Sequence, residues 1–399
     1  MAINPSKPLP RGEQHFLSMN IRKELEAAAS RLRRDLRGIQ TSVPDKYLRH
    51  KLENLESTLS RDKYVFKTAL SRVSKPLQNI VLIDYGGGPG FHSLLARELG
   101  IGTVIYNDIL HHYCALAEEI ATTLGRRADH YIEGNIDVLI KFCDQHAIKA
   151  DVITSSDVLE HIYDIDDFLR KLHLLSHKGT VIMHVSGANM FWYPFEESVA
   201  RLHREVEKES GEEVGIESAC YDERRRMIIE YAQNISEDEV NQLAANTRGL
   251  AALDLIKAVD QYLQTGQGPK SIEHATNTCN PRTGNWAERS MNPYYLQETL
   301  SFNGFDAKVL AGPWDKGNTI IAKVIRIILN SLIRIPSTYL ALHFSYYCCL
   351  FGEYNGNFAR EAHRENMYSH RKLPLVYIVA AGYKLNSMFQ GQRDWWKLQ

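Results

Sequence analysis

The chain has 399 residues, 44% hydrophobic and 24% charged, with a formal net charge of -1, which is enough to bury a sizeable core around one elaborated domain. That balance carries no electrostatic footprint for nucleic acid, so no nucleic-acid partner is expected. Cys114, Cys143, Cys220, Cys279, Cys348 and Cys349 form no C-x-x-C pair, which argues against a zinc knuckle or a redox motif and suits a reducing, cytoplasmic setting.

Residues 1–14 are polar and Pro-containing, with no signal-peptide h-region. Residues 21–36 and 47–73 read as helices broken at Val43-Pro44-Asp45, a helical cap over 1–75. Such a cap packs on the main domain, or serves as a lid or dimer contact. From 79 the pattern alternates strand and helix, the signature of a parallel α/β sheet. The spacing predicts strands over 79–85, 103–107, 130–133, 150–155 and 180–186. Helices are predicted over 91–99, 112–124, 138–146 and 165–175. Residues 76–190 are therefore the candidate cofactor-binding core.

The rhythm stops at 190. Residues 191–300 read as a helical insertion (194–209, 223–234, 237–246, 250–263) followed by a Gly/Asn/Pro/Thr-rich loop at 265–285, a usual place for substrate recognition. A helix over 293–303 ends at Gly304, and a sixth strand follows at 305–311. The run 319–352 is apolar, with Lys323, Arg326, Asn330 and Arg334 recurring at helical spacing. It predicts a helical insertion across 319–370, buried in the core or a homodimer, or lying on a membrane surface. No uncharged stretch reaches the ~18 residues of a spanning helix. A seventh strand is placed at 374–381, so 301–399 completes the core.

The chemistry centres on residues 81–100, VLIDYGGGPGFHSLLARELG: strand, glycine turn, helix. Such a turn lets a ligand approach the main chain and meet the N–H groups that open the helix. A dinucleotide fingerprint, G-x-G-x-x-G, would need its last glycine at Phe91. The spacing that fits is D-x-G-x-G-x-G, at Asp84, Gly86, Gly88 and Gly90. Asp108 ends the second strand, where a carboxylate can take both hydroxyls of a ribose. EGNID follows the third strand at 133–137, and ADVITSSDVLEHIYD covers the fourth at 150–164.

In that order and spacing the segment resembles the class I S-adenosylmethionine-dependent methyltransferases, over about 79–190 and the last two strands. The resemblance implies a Rossmann-like seven-stranded α/β sheet and methyl transfer from S-adenosylmethionine, leaving S-adenosylhomocysteine. It places Tyr85, Gly86, Gly87, Gly88 and Gly90 along the methionine part, Asp108 and Ile109 at the ribose, and Asn135, Ile136 and Asp137 at the adenine. Ser156 and Asp157 fall beside the cofactor. Asp84 either holds the turn or faces the cofactor's ammonium.

Catalysis would come mainly from in-line placement, with a base where the acceptor must lose a proton. Candidates are His161, His184 and Asp157, with structural roles as the alternative for the two histidines. His111 and His112 read as cofactor-side contacts or solvated loop residues. His173 and His177 stand i, i+4 on an expected helix with no acidic partner, so no metal is expected. Phe191, Trp192 and Tyr193 form an aromatic wall or pack the core. Arg282 and Trp286, in a loop with Glu288 and Arg289, would meet an acidic group on the acceptor, or the arginines form surface ion pairs. A small molecule acting through O, N or C is the expected acceptor. A nicotinamide-dependent oxidoreductase and a non-catalytic cofactor-binding scaffold are the alternatives.

Overall fold

The computed structural model describes residues 11–187, 189–210, 216, 218–270, 272–315, 320–358 and 367, the side chains of 11–20 and 193–196 excepted. Three helices come first: α1 (Arg11–Leu36), α2 (Lys46–Glu53) and α3 (Leu55–Leu70). The Asp45 carboxylate caps α2 by accepting from Leu48 N at 2.6 Å, satisfying one of the free N–H groups at a helix start. The single helix expected over 47–73 is interrupted at Asn54, whose N–H and side-chain amide both turn back onto the His50 carbonyl.

The alternation then runs β1 (Val81–Tyr85), α4 (Phe91–Glu98), β2 (Thr103–Asp108), α5 (His111–Thr123), β3 (His130–Glu133), α6 (Ile136–Gln145), β4 (Ala150–Ser156), α7 (Ile165–Lys171) and β5 (Ser176–Ser186). Helices α8 (Tyr193–Lys208), α9 (Cys220–Tyr231), α10 (Glu237–Asn246) and α11 (Ala252–Thr265) follow. The described elements end with α12 (Pro293–Phe302), β6 (Asn303–Ala311), α13 (Ile320–Leu332), α14 (Thr338–Leu342) and β7 (Cys348–Phe358).

The strands form one seven-stranded sheet in the order β3-β2-β1-β4-β5-β7-β6. It is parallel from β3 to β5, and β7 runs antiparallel to both its neighbours. Side chains alternate across a strand, so the parallel strands fill two cores. Leu82, Val104, Val152 and Val181 face one layer with Leu32, Phe66 and Leu95 from α1, α3 and α4. Ile83, Ile105, Ile153 and Ile182 face the other, with Leu139, Phe168 and Leu300 from α6, α7 and α12. The first helices thus complete one layer of the sandwich. The strand order reverses between β1 and β4, and that switch point opens a crevice at the carboxyl ends of the strands.

Three further expectations change. The seventh strand is β7 at Cys348–Phe358, and residues 374–381 lie outside the described set. Within the insertion expected to be helical across 319–370, the described residues 320–358 form two helices and a central strand. A strand buried on both faces reads as a continuous apolar run, which periodicity cannot tell from a buried helix. His173 and His177 do not share a helix. His177 is the second residue of β5 and pairs through Nε2 with Asp151 at 2.8 Å, while His173 Nδ1 meets the Arg170 carbonyl.

Candidate active site

At the switch point lies a cavity of about 1360 Å³, lined by the glycine turn, α2 and α3, the ends of β2 and β4, and the loop before α12. The turn is shaped from below. Asp84 is buried under it, and its Oδ2 accepts from Ser93 N at 2.9 Å and Ser93 Oγ at 2.8 Å, tying β1 to the start of α4. Of the two roles open to Asp84, holding the turn is therefore the one it performs. Tyr106 Oη donates to the Gly88 carbonyl at 2.6 Å. Gly86 and Gly88 line the cavity at φ 62 and 50, backbone that L side chains rarely adopt. Gly87 and Gly90 do not face the cavity. A Cβ at Gly87 would sit 2.5 Å from the Tyr106 ring, and Gly90 starts α4.

Asp108 ends β2 at the cavity wall. Its Oδ2 accepts from Gly88 N and its Oδ1 from Leu110 N, each at 2.9 Å, and a carboxylate oxygen keeps a further lone pair for a ligand hydroxyl. Ile109 and Leu110 stand 65% and 42% exposed beside it, an apolar platform suited to the flat face of a base. Asn135 accepts from Asp137 N and Val138 N at 3.1 and 3.2 Å, so its carbonyl oxygen caps α6. Asp137 pairs with Lys171 at 2.7 Å. Tyr85, Asn135, Ile136, Asp137 and Ser156 all line the cavity. The residues present fit S-adenosylmethionine: side-chain-free backbone at the turn, a carboxylate at the ribose position and exposed aliphatics at the base position. His112 lines the cavity against the Tyr113 ring, whereas His111 pairs outward with Glu133.

The far wall gathers charges from distant segments. Asp157 holds φ 56 at the end of β4 and is gripped by Arg61 of α3 at 3.2 and 2.8 Å, with Lys51 of α2 at 3.8 Å. A carboxylate so paired is an anchor, not the free base the sequence suggested. His161 Nδ1 lies 2.8 Å from the Trp286 carbonyl. A carbonyl only accepts, so Nδ1 carries the proton and Nε2 presents its lone pair. That Nε2 is 3.4 Å from Glu288 Oε2, and both residues line the cavity. Burial, then the charge of Asp157, pushes the Glu288 carboxyl up to about 8. The neighbouring Glu160 carboxyl is raised by burial, then by Glu288 and Asp157.

Four substrate or catalytic expectations are corrected. His184 is fully buried in β5 with Nδ1 on Ser155 Oγ and does not reach the cavity; burial holds its pKa down at about 3. Phe191 packs on Tyr294, Tyr339 and His343, and Trp192 packs edge-on against Trp314. Both are core residues, and the Tyr193 side chain lies outside the described set. Trp286 is buried, stacked on Tyr163 and covered by the Arg289 guanidinium at 4.4 Å. It serves the site only through its carbonyl. Arg282 does line the cavity, but it is committed to Glu223 and Glu230.

Sequence reasoning missed Tyr47, Lys51, Arg61 and the role of Glu288. No spacing links 157–161 to 288. The two loops meet through backbone, Trp286 N on the His161 carbonyl at 3.2 Å and Arg289 N on the Glu160 carbonyl at 2.9 Å.

Residues 58–222 match the family model described as a methyltransferase domain. No curated relative matches the chain. Among solved structures, it is similar to an S-adenosylmethionine-dependent methyltransferase from Mesorhizobium loti at 12% identity, TM-score 0.33, over 72% of this chain and 95% of that one. One from Archaeoglobus fulgidus stands at 12% identity, TM-score 0.35, over 77% and 100%. One from Aquifex aeolicus stands at 16%, TM-score 0.27, over 34% and 71%. Scores this low carry no weight beside the matched segment.

Proposed function

We propose that this chain, a class I S-adenosylmethionine-dependent methyltransferase, methylates an ionisable O, N or C nucleophile of a small molecule, with His161 receiving the acceptor's proton beside Glu288. The observation that carries this reading is the His161 Nε2 lone pair, open to the same cavity as Gly86, Gly88 and Asp108 and backed by the Glu288 carboxyl at 3.4 Å.

Bound S-adenosylmethionine supplies an electrophilic methyl group on a sulfonium sulfur. Backbone at Gly86 and Gly88 would take the methionine part, Asp108 the ribose, and Ile109 with Leu110 the base. The acceptor lies between this wall and the one built from α2, α3 and the loop at 280–288. Its proton would pass to His161 Nε2, with the Glu288 carboxyl 3.4 Å away beside the imidazolium, and would leave to solvent after the product departs. The charge of Asp157 is answered by Arg61 and Lys51. That suits a reaction in which the sulfonium charge disappears, since an anion held close to it would favour the ground state.

The test is turnover against a panel of phenols, amines, carboxylates and activated carbon acids, with S-adenosylhomocysteine release as the readout. For an accepted substrate, His161→Ala should lower kcat by roughly 100-fold or more with S-adenosylhomocysteine affinity unchanged. A variant that turns over like the wild type would remove the histidine from the mechanism and leave placement alone.

A further inference from the structure

Helix α13 carries a surface that the active site does not account for. Ala322 and Leu329 are buried, and Ile325 and Leu332 pack beside Leu329 against Trp192, Val199 and Trp314. The opposite face is aliphatic and open: Ile320, Ile321, Val324, Ile327 and Ile328 are 81%, 67%, 51%, 66% and 54% exposed. Five neighbouring branched aliphatics at that exposure form a patch, not scattered surface residues. Lys323 on α13 and Arg334, two residues past its end, stand exposed, and residues 320–352 contain no Asp or Glu.

We propose that α13 docks this protein on the surface of an anionic lipid bilayer, with its isoleucines in the acyl–headgroup boundary and its cations among the headgroups. A thirteen-residue helix is about 20 Å long, too short for a hydrocarbon core of about 30 Å, and no described helix is long and apolar enough to cross a membrane. An amphipathic helix of this kind lies in the interface plane. Charge selects the occupant. A second copy meeting this face about a two-fold axis would bring Lys323 and Arg334 towards their own images with no acid from 320–352 to answer them. A phosphate-bearing surface answers them directly.

The position of α13 gives the docking a consequence for the site. Val199, under its buried face, also lines the cavity. Arg326 donates to the Asp315 carbonyl at 3.3 Å, and the Asp315 carboxylate takes Ser57 Oγ and Tyr346 Oη, both cavity residues. The bilayer surface would therefore lie about one helix thickness from the acceptor wall.

The experiment is flotation of the full-length protein with vesicles of equimolar phosphatidylcholine and phosphatidylglycerol, and with phosphatidylcholine alone. The wild type should float with the anionic vesicles and lose binding as salt is raised. Ile327→Asp with Ile328→Asp should lower binding roughly tenfold or more. Lys323→Glu with Arg334→Glu should lower it to a similar degree while leaving the aliphatic face intact. The changed residues are exposed, and an unaltered melting temperature confirms folding. Wild type that stays in the soluble fraction, or variants that float as well as it does, would overturn the proposal. A dimer dispersed by the isoleucine changes, with no flotation, would overturn it in favour of a second copy.

Discussion

Arg61 donates to both oxygens of Asp157, at 3.2 and 2.8 Å, across the boundary between the first helices and the strand that ends at the cavity. Asp157 sits at φ 56, a conformation costing on the order of 1–3 kcal/mol that persists only where its surroundings enforce it. Both side chains are largely shielded from water, so removing one leaves a poorly compensated charge. Arg61→Met should cost about 3 kcal/mol in urea unfolding. The double change with Asp157→Asn should cost less than the single one. A loss under about 1 kcal/mol would mean that Asp157 is held by other contacts.

At the cofactor wall, Asp108→Ala removes the carboxylate from the ribose position together with its hydrogen bonds from Gly88 N of the turn and from Leu110 N. Calorimetry should show S-adenosylhomocysteine binding at micromolar level or better to the wild type, and at least tenfold weaker binding to the variant. Equal affinities would place the ribose elsewhere.

Gly86→Ala tests the turn itself. Its Cβ would lie 2.5 Å from Val158 Cγ2, on a backbone at φ 62. We expect a loss of about 1–3 kcal/mol together with weakened cofactor binding. Adding Val158→Ala should recover the part due to collision and leave the part due to φ. Full recovery would show that the conformation is not strained for alanine.

Stability should fall as pH rises from about 4 to about 8. The Glu288 carboxyl is pushed up to about 8 by burial and then by Asp157, whereas an unfolded glutamate titrates near 4.3. Between those values the native state binds more protons than the unfolded one, so stability is full below about pH 4 and is lost as pH rises through 8. Melting temperatures across that window should decline, and Glu288→Gln should flatten the decline. A decline of equal slope in the variant would assign it to Glu160 or elsewhere.

The strand–turn–helix of residues 81–98 was legible because its signals are local: glycines, an acid at a strand end, an apolar run. Asp108 was legible for the same reason. The acceptor wall was not, because it is assembled from Lys51, Arg61, His161 and Glu288, which come together only when α3 packs on the sheet and two loops pair through backbone. Phe191 and Trp192 misled because an aromatic run after β5 carries the same pattern in a pocket or a core. The last strand misled because Cys348–Phe351 is buried on both faces and shows no alternation.

The sheet order also sets a schedule. β5 ends at Ser186, and the strand that covers its free edge, β7, begins at Cys348, about 160 residues later. At roughly 5–20 residues per second, the ribosome needs about ten to thirty seconds to supply that partner. Through that interval an apolar strand edge stands open to other nascent chains, the kind of edge that templates aggregation. Yield of the folded enzyme will therefore depend on how the growing chain is shielded during synthesis.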